Sequence, residues 1–186
     1  TVLRSGLTID ELFETIKKLE VINIRLDADD DPQLIFESLN STGLDLSEAD
    51  KIRNYLFMSL SPTEQDDLYN RFWNPIEVFT KYDPSSFVRD YLTMKQGKIG
   101  RIDKIYFIFK EYAEGNNMAR ADLLEDMHHY AKIYSQIDNA KAGTDKLNQK
   151  LSQLRTLDST IAYPFFMAFF DYASKTICLK VKFAGS

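Results

Sequence analysis

The feature that most constrains this chain is the frequency of helix-start signals set against very few helix breakers. Ser61-Pro62-Thr63-Glu64 places a hydroxyl cap, a proline in the first turn and an acid at the third helical position. Thr8 and Glu11 have the same reciprocal spacing, ahead of Leu12, Phe13, Ile16 and Leu19 on one face. Pro84-Ser-Ser-Phe87 opens a segment carrying Val88, Tyr91 and Leu92, which the glycines of Lys95-Gln-Gly-Lys-Ile-Gly100 end. Helical apolar spacing recurs over 47–60, 62–73, 102–112, 119–137 and 146–154, with another helix expected after Pro75. Seven glycines and five prolines in 186 residues are too few for a loop-rich β protein. From Asp158 or Ser159 to Tyr172 the chain is almost wholly apolar, which predicts a helix buried all round, with Pro164 tolerated near its start.

Two segments break the helical pattern. Val21-Ile-Asn-Ile-Arg-Leu26 alternates with period two and predicts a half-buried strand. Ile177-Cys-Leu-Lys-Val-Lys-Phe183 alternates as cleanly and predicts a second strand, able to pair with 21–26 or with another chain. Between them, Asp31-Pro32 predicts the start of a helix holding Leu34, Ile35, Phe36 and Leu39. The expected fold class is therefore mainly α: a helical bundle-like domain with a small β element.

Composition narrows the function classes. Twenty-three Lys+Arg against 28 Asp+Glu leave a net charge of −5, which argues against a surface that binds nucleic acid over its whole extent. The lone Cys178 cannot form an internal disulfide, and no targeting segment is visible, so a cytoplasmic, reduced environment is expected. The stretch 159–170 is too short to span a bilayer, so no membrane association is expected. The chain begins at Thr1 and closes on Lys-Phe-Ala-Gly-Ser, as a piece of a longer polypeptide would.

Motifs that carry chemistry are scarce. The acidic run Asp27-Ala-Asp-Asp-Asp31 has Pro32 where a calcium loop needs glycine, and Ser38 where it needs glutamate. His128 and His129 are adjacent on a helix and cannot share a metal as an i, i+4 pair does, so no metal site is expected. Lys95, Lys98, Arg101 and Lys104 form the one notable basic cluster, a possible set of DNA backbone contacts or simply solvated cations.

The most specific segment is Ile35-Phe-Glu-Ser-Leu-Asn-Ser-Thr-Gly-Leu-Asp-Leu-Ser-Glu-Ala-Asp-Lys-Ile-Arg-Asn-Tyr-Leu-Phe57. Physically it is helix, polar turn, helix. The turn sets Asn40, Ser41 and Thr42 beside backbone N–H groups at a helix start, an arrangement that suits an anion. Ordinary connection chemistry explains the same residues: Asn40 and Gly43 end one helix and Ser47 caps the next.

This string closely resembles the F-E-x-L-N-x-x-G-x-x-L-x-x-x-D-x-I-R-N segment of the GmrSD-type restriction endonuclease family, whose N-terminal domain is similar to the ParB/sulfiredoxin fold. Phe87-Val-Arg-Asp-Tyr-Leu-Thr93, Ile105-Tyr-Phe-Ile-Phe-Lys-Glu-Tyr112 and Ala162-Tyr-Pro-Phe-Phe166 are similar to the family's helical region. The resemblance implies a role in defence against foreign, modified DNA, and a parent that uses a nucleoside triphosphate with a divalent metal. It implies that Glu37, Asn40, Ser41, Thr42, Gly43, Arg53 and Asn54 line or brace the nucleotide site. Arg53 would pair with a phosphate, or internally with Asp50 or Glu37. The family's D-G-Q-Q-R motif is absent, and neither histidine lies in the H-x-x-P context of an HNH nuclease. The expected division is thus the end of a ParB-like domain over 1–60, a helical middle domain over 61–175, and a strand-like tail over 176–186. Such a fragment would hold no cofactor and cut no DNA alone, and would self-associate, if at all, through the 21–26 or 177–183 edge. The alternative is a non-enzymatic helical protein-interaction module.

Overall fold

The computed structural model describes residues 8–20, 25, 35, 38, 46–58, 60–156 and 160–184, with 155–156 and 177–184 described in backbone only. The elements are α1 (Ile9–Ile16), α2 (Glu48–Phe57), α3 (Pro62–Leu68), α4 (Asn74–Phe79), α5 (Pro84–Gln96), α6 (Ile105–Gly115), α7 (Arg120–Asp138), α8 (Asp145–Thr156) and α9 (Tyr163–Ala184). The protein is mainly helical, as the sequence predicts.

The caps explain the boundaries. Thr8 and Ser61 each form a reciprocal capping box, with Glu11 and Glu64. The Asp83 carboxylate caps α5 by accepting from the Ser86 N–H, and Gly97 closes it at φ 69°, a left-handed conformation that glycine adopts without strain. Pro75 does not begin a separate helix. It lacks the N–H that an α-helical bond to residue 71 requires, and the helix widens through one π turn (Tyr69–Trp73) before continuing as α4. That wider turn lets the adjacent Phe72 and Trp73 both be buried.

The core is organised around α5 and α7. Phe87, Val88, Tyr91 and Leu92 of α5 are buried, and α5 touches α2, α6, α7 and α9. α7 buries Leu123, Leu124, Met127, Tyr130, Ala131 and Tyr134, and receives α4, α8 and α9. Aromatic edges interlock at the centre: Phe87 meets Tyr134, Tyr91 meets Tyr112, and Tyr134 meets Tyr163, all T-shaped.

Two expectations are corrected. The tail 177–183 is not a strand but the last turns of α9, which runs unbroken to Ala184. No glycine or proline separates Tyr172 from Ile177, so an established helix propagates, and a short alternating run does not override it. The proposed strand edge for self-association at 177–183 therefore does not exist. Second, α9 is not buried all round. Tyr163, Met167 and Asp171 face inward, while Ile161 just before it and Phe165, Phe169 and Tyr172 on it are exposed. It also starts at Tyr163, later than Ser159, which puts Pro164 in the first turn where the missing N–H costs nothing. The predicted strand at 21–26 lies, Arg25 aside, outside the described residues, as do Asp27–Asp31. Of the following helix, Ile35 and Ser38 are described and helical.

Two of the described buried residues are carboxylates, Asp90 and Asp171, and Asp90 has an oxygen left without a partner. Asp90 is 3% exposed, and both Arg89 donors, Nε at 3.1 Å and Nη2 at 3.0 Å, reach the same oxygen. The other oxygen, Oδ2, has no partner among the described residues. Burial pushes this carboxyl up to about 6, against the pull of Arg89. An unfolded aspartate releases its proton near pH 3.9, so stability falls as pH rises between about 4 and 6, and the penalty is complete above that. We expect Asp90→Asn to raise stability by about 1–2 kcal/mol near pH 8 and to give no gain near pH 4. Urea unfolding of both proteins at the two pH values checks this; an equal effect at both would overturn it.

Candidate functional site

The segment singled out by its sequence leads into α2, and α2 is tied down on every side. The Ser47 side chain caps it, accepting from the Asp50 N–H at 3.1 Å and donating to the Asp50 carboxylate at 2.7 Å. The Ala49 N–H donates to the Ser85 hydroxyl of α5 at 3.1 Å. Glu48 reaches across to the first turn of α6, where it accepts from the Tyr106 N–H at 2.8 Å, and its other oxygen pairs with Lys51. Behind these bonds Ala49, Ile52 and Leu56 are buried.

Arg53 is the centre of a small ion-pair network. Its guanidinium lies 3.1 Å from Asp50 and 3.6 Å from Glu77 of α4. Glu77 in turn accepts from the Trp73 indole at 2.8 Å and from the Tyr69 hydroxyl at 3.3 Å. Burial, and after it the Glu77 charge, pushes the Tyr69 phenol above its ordinary range. A cleft of about 160 Å³ opens beside the network, lined by Ser47, Asp50, Trp73, Glu77, Tyr82 and Pro84 among others. The turn that closes it is unusual: Lys81 and Tyr82 both adopt positive φ, 54° and 62°, and the Tyr82 N–H bonds the Glu77 carbonyl at 2.8 Å.

The described residues of this cleft do not fit a triphosphate. Its side-chain charges are the carboxylates Asp50 and Glu77, with Arg53 already held between them. The Ala49 and Asp50 N–H groups that would greet an anion at the helix start are taken by Ser85 and Ser47. The ordinary capping role of Ser47 is what α2 displays. Of the two internal partners expected for Arg53, Asp50 is found. Asn54 is half-buried, and its carbonyl accepts from the Met58 N–H at 2.8 Å where α2 ends. Glu37, Asn40, Ser41, Thr42 and Gly43 lie outside the described residues.

The basic cluster does not form one cationic face. Lys95 turns inward, 2.7 Å from Asp126 and 4.5 Å from the Tyr130 ring centroid. Arg101 forks onto Asp103 at 2.7 and 3.0 Å. Lys104 lies over the Phe107 ring, and Lys98 borders an open groove with Gln96, Gly100 and Glu111.

The two histidines diverge, as adjacent helical positions must. His128 packs between Phe72 and Phe79, where burial lowers its pKa. His129 Nε2 meets Asp171 of α9 at 2.8 Å. Sequence reasoning passed over Glu77, Trp73 and Asp171. The i, i+4 pairs Trp73/Glu77 and Asp171/Lys175 were available signals. Among the described residues, no three His, Cys, Asp or Glu side chains come together as a metal site.

Comparison with known proteins finds no matching family model, no matching curated protein and no matching solved structure.

The network makes a local prediction. Glu77→Ala leaves the Trp73 indole N–H without its acceptor and is expected to cost about 1–3 kcal/mol. It should also change the emission of Trp73, the single tryptophan. Arg53→Ala should cost under about 1 kcal/mol, since the guanidinium is 37% exposed. Fluorescence-detected unfolding of the two variants checks both; a larger loss for Arg53→Ala would overturn this ranking.

Proposed function

We propose that this chain is the central part of a nucleotide-dependent restriction factor of the GmrSD type, acting in the cytoplasm against modified foreign DNA. The observation that carries the reading is the 35–57 string. In this reading the catalytic chemistry belongs to the rest of the parent protein. The Asn40–Gly43 turn belongs to the nucleotide side, and α2 is the strut that fixes this turn to the helical domain. Arg53 is then a bracing residue, held by Asp50 and Glu77, and not a phosphate ligand. That assignment follows from the saturated helix start and the acidic cleft described above. DNA is reached through the parent protein, with Lys98 and Lys104 as the members of the basic cluster best placed on the surface to contribute.

The test uses a longer chain that includes a D-G-Q-Q-R segment upstream. It should hydrolyse nucleoside triphosphate in the presence of magnesium. Asn40→Ala should abolish most of that activity with little change in melting temperature. Arg53→Ala should reduce activity only as far as it reduces stability. No hydrolysis by the longer chain, or full hydrolysis after Asn40→Ala, would overturn the reading.

A second reading, a helical protein-interaction module, is favoured by one specific observation. Ile161, Phe165, Phe169 and Tyr172 line an exposed stripe at spacings of four, four and three, with Phe165 and Phe169 stacked 6.2 Å apart. Contiguous exposed apolar stripes of this kind mark interaction surfaces.

A further inference from the structure

We propose that the cleft between α7 and α9 binds a small organic anion, a phosphate or carboxylate carried on an aromatic or branched aliphatic group. The cleft has a volume of about 370 Å³, within the usual range for small-ligand pockets. His129, Lys132, Gln136 and Ser174 form its polar edge, and Ile133 and Phe170 contribute an apolar wall. Among the described residues no carboxylate lines it. The chain has a net charge of −5, and elsewhere Lys51, Arg53, Lys81 and Lys95 each face an acid.

The one carboxylate nearby is already committed. Asp171, on α9 beneath His129, accepts from His129 Nε2 at 2.8 Å, from the Tyr130 hydroxyl at 3.1 Å and from Lys175 Nζ at 2.7 Å. Burial pushes the Asp171 carboxyl up, but the bonds from Lys175, His129 and Tyr130 outweigh it and hold the group below the usual range. Asp171 accepts only, so Nε2 carries a proton, and the ring offers an anion a second donor, Nδ1–H, as the imidazolium. Nδ1 remains as the second hydrogen-bonding atom of a ring that is 47% exposed at the cleft edge. Lys132 is exposed on the same helix one turn along, and Lys175 offsets the Asp171 charge. The result is an oriented imidazole, a lysine and an amide around an apolar wall, while the Ser174 hydroxyl donates to the Asp171 carbonyl at 2.8 Å. That combination recognises an anion with an apolar body better than a bare ion.

The probe is phenyl phosphate, titrated into the 186-residue chain and followed by amide NMR shifts. Binding with a Kd of about 1 mM or tighter is expected, with shifts concentrated at Ala173, Ser174 and Lys132. Lys132→Ala should weaken it at least about five-fold, whereas Lys104→Ala should leave it unchanged. His129→Gln, which keeps a donor to Asp171, separates loss of the ring from loss of the fold; it should weaken binding while the melting temperature holds. Inorganic phosphate alone and phenol alone should each bind more weakly than phenyl phosphate. Shifts scattered over many lysines, equal losses in Lys132→Ala and Lys104→Ala, or no saturation by about 10 mM would overturn the proposal.

Discussion

Buried tyrosines impose the constraint on which the rest of this structure depends. A tyrosine ring in the core drives folding, but its hydroxyl must still find a partner. Here the same solution recurs. Tyr91 donates to Asp126, which is paired with Lys95. Tyr130 donates to Asp171, paired with Lys175 and His129. Tyr163 donates to Asp138, paired with Lys81. Tyr69 donates to Glu77, paired with Arg53. Each unit joins a phenol, a carboxylate and a cation. Removing the carboxylate from any of them strands a phenol on one side and a cation on the other, so the acid is the member whose loss costs most. The Tyr91, Tyr130 and Tyr69 phenols are all pushed above their ordinary range, by burial first and then by the facing carboxylate. They are protonated and act as donors at neutral pH.

These units also explain which helices meet. Tyr163 of α9 reaches Asp138 at the end of α7, and Asp171 of α9 returns to His129 and Tyr130 earlier in α7, so the two helices are pinned at two points along their contact. Tyr91 of α5 and Asp126 of α7 join the two central helices. Lys81 lies in the turn after α4, and its pairing with Asp138 ties that turn to the same end of α7. Asp90 is the exception: it has a cation but no phenol donating to it, and one oxygen is left bare. It is the place where the polar pattern is incomplete.

Much of the fold was legible because local chemistry decides it. Thr8 with Glu11, Ser61 with Glu64, and Gly97 set helix ends through bonds a few residues long, and each is found where the spacing puts it. The tail was misread for the complementary reason. Alternation over seven residues is weak information, and what decides the conformation is the helix already running into it from Tyr163. The exposed side of α9 was illegible as well. Uniform apolarity says that a helix can be buried, not how many neighbours it has, and among the described residues Tyr163, Met167 and Asp171 are buried while Phe166 and Phe170 are covered in part. In the candidate site, Arg53 with Asp50 is an i, i+3 pair that a sequence displays openly. Glu77 is 24 residues away and meets Arg53 only through tertiary packing. The Tyr–acid–cation units are non-local for the same reason.

The bare stripe on α9 bears on both functional readings. Single exposed apolar side chains are common on soluble proteins and need no account. Three on successive turns of α9, with Ile161 just before them, are different, because together they form a continuous ridge that water hydrates poorly. α1 repeats the condition on a smaller scale, with Ile9, Phe13 and Ile16 all exposed. The interaction-module reading requires such a ridge directly. The restriction-factor reading also accommodates it, as a contact between the helical domain and another part of the parent protein. What separates the two readings is therefore not the ridge but the turn at 40–43. If Asn40 serves chemistry, the ridge is a joint inside one machine; if Asn40 only ends a helix, the ridge is the function.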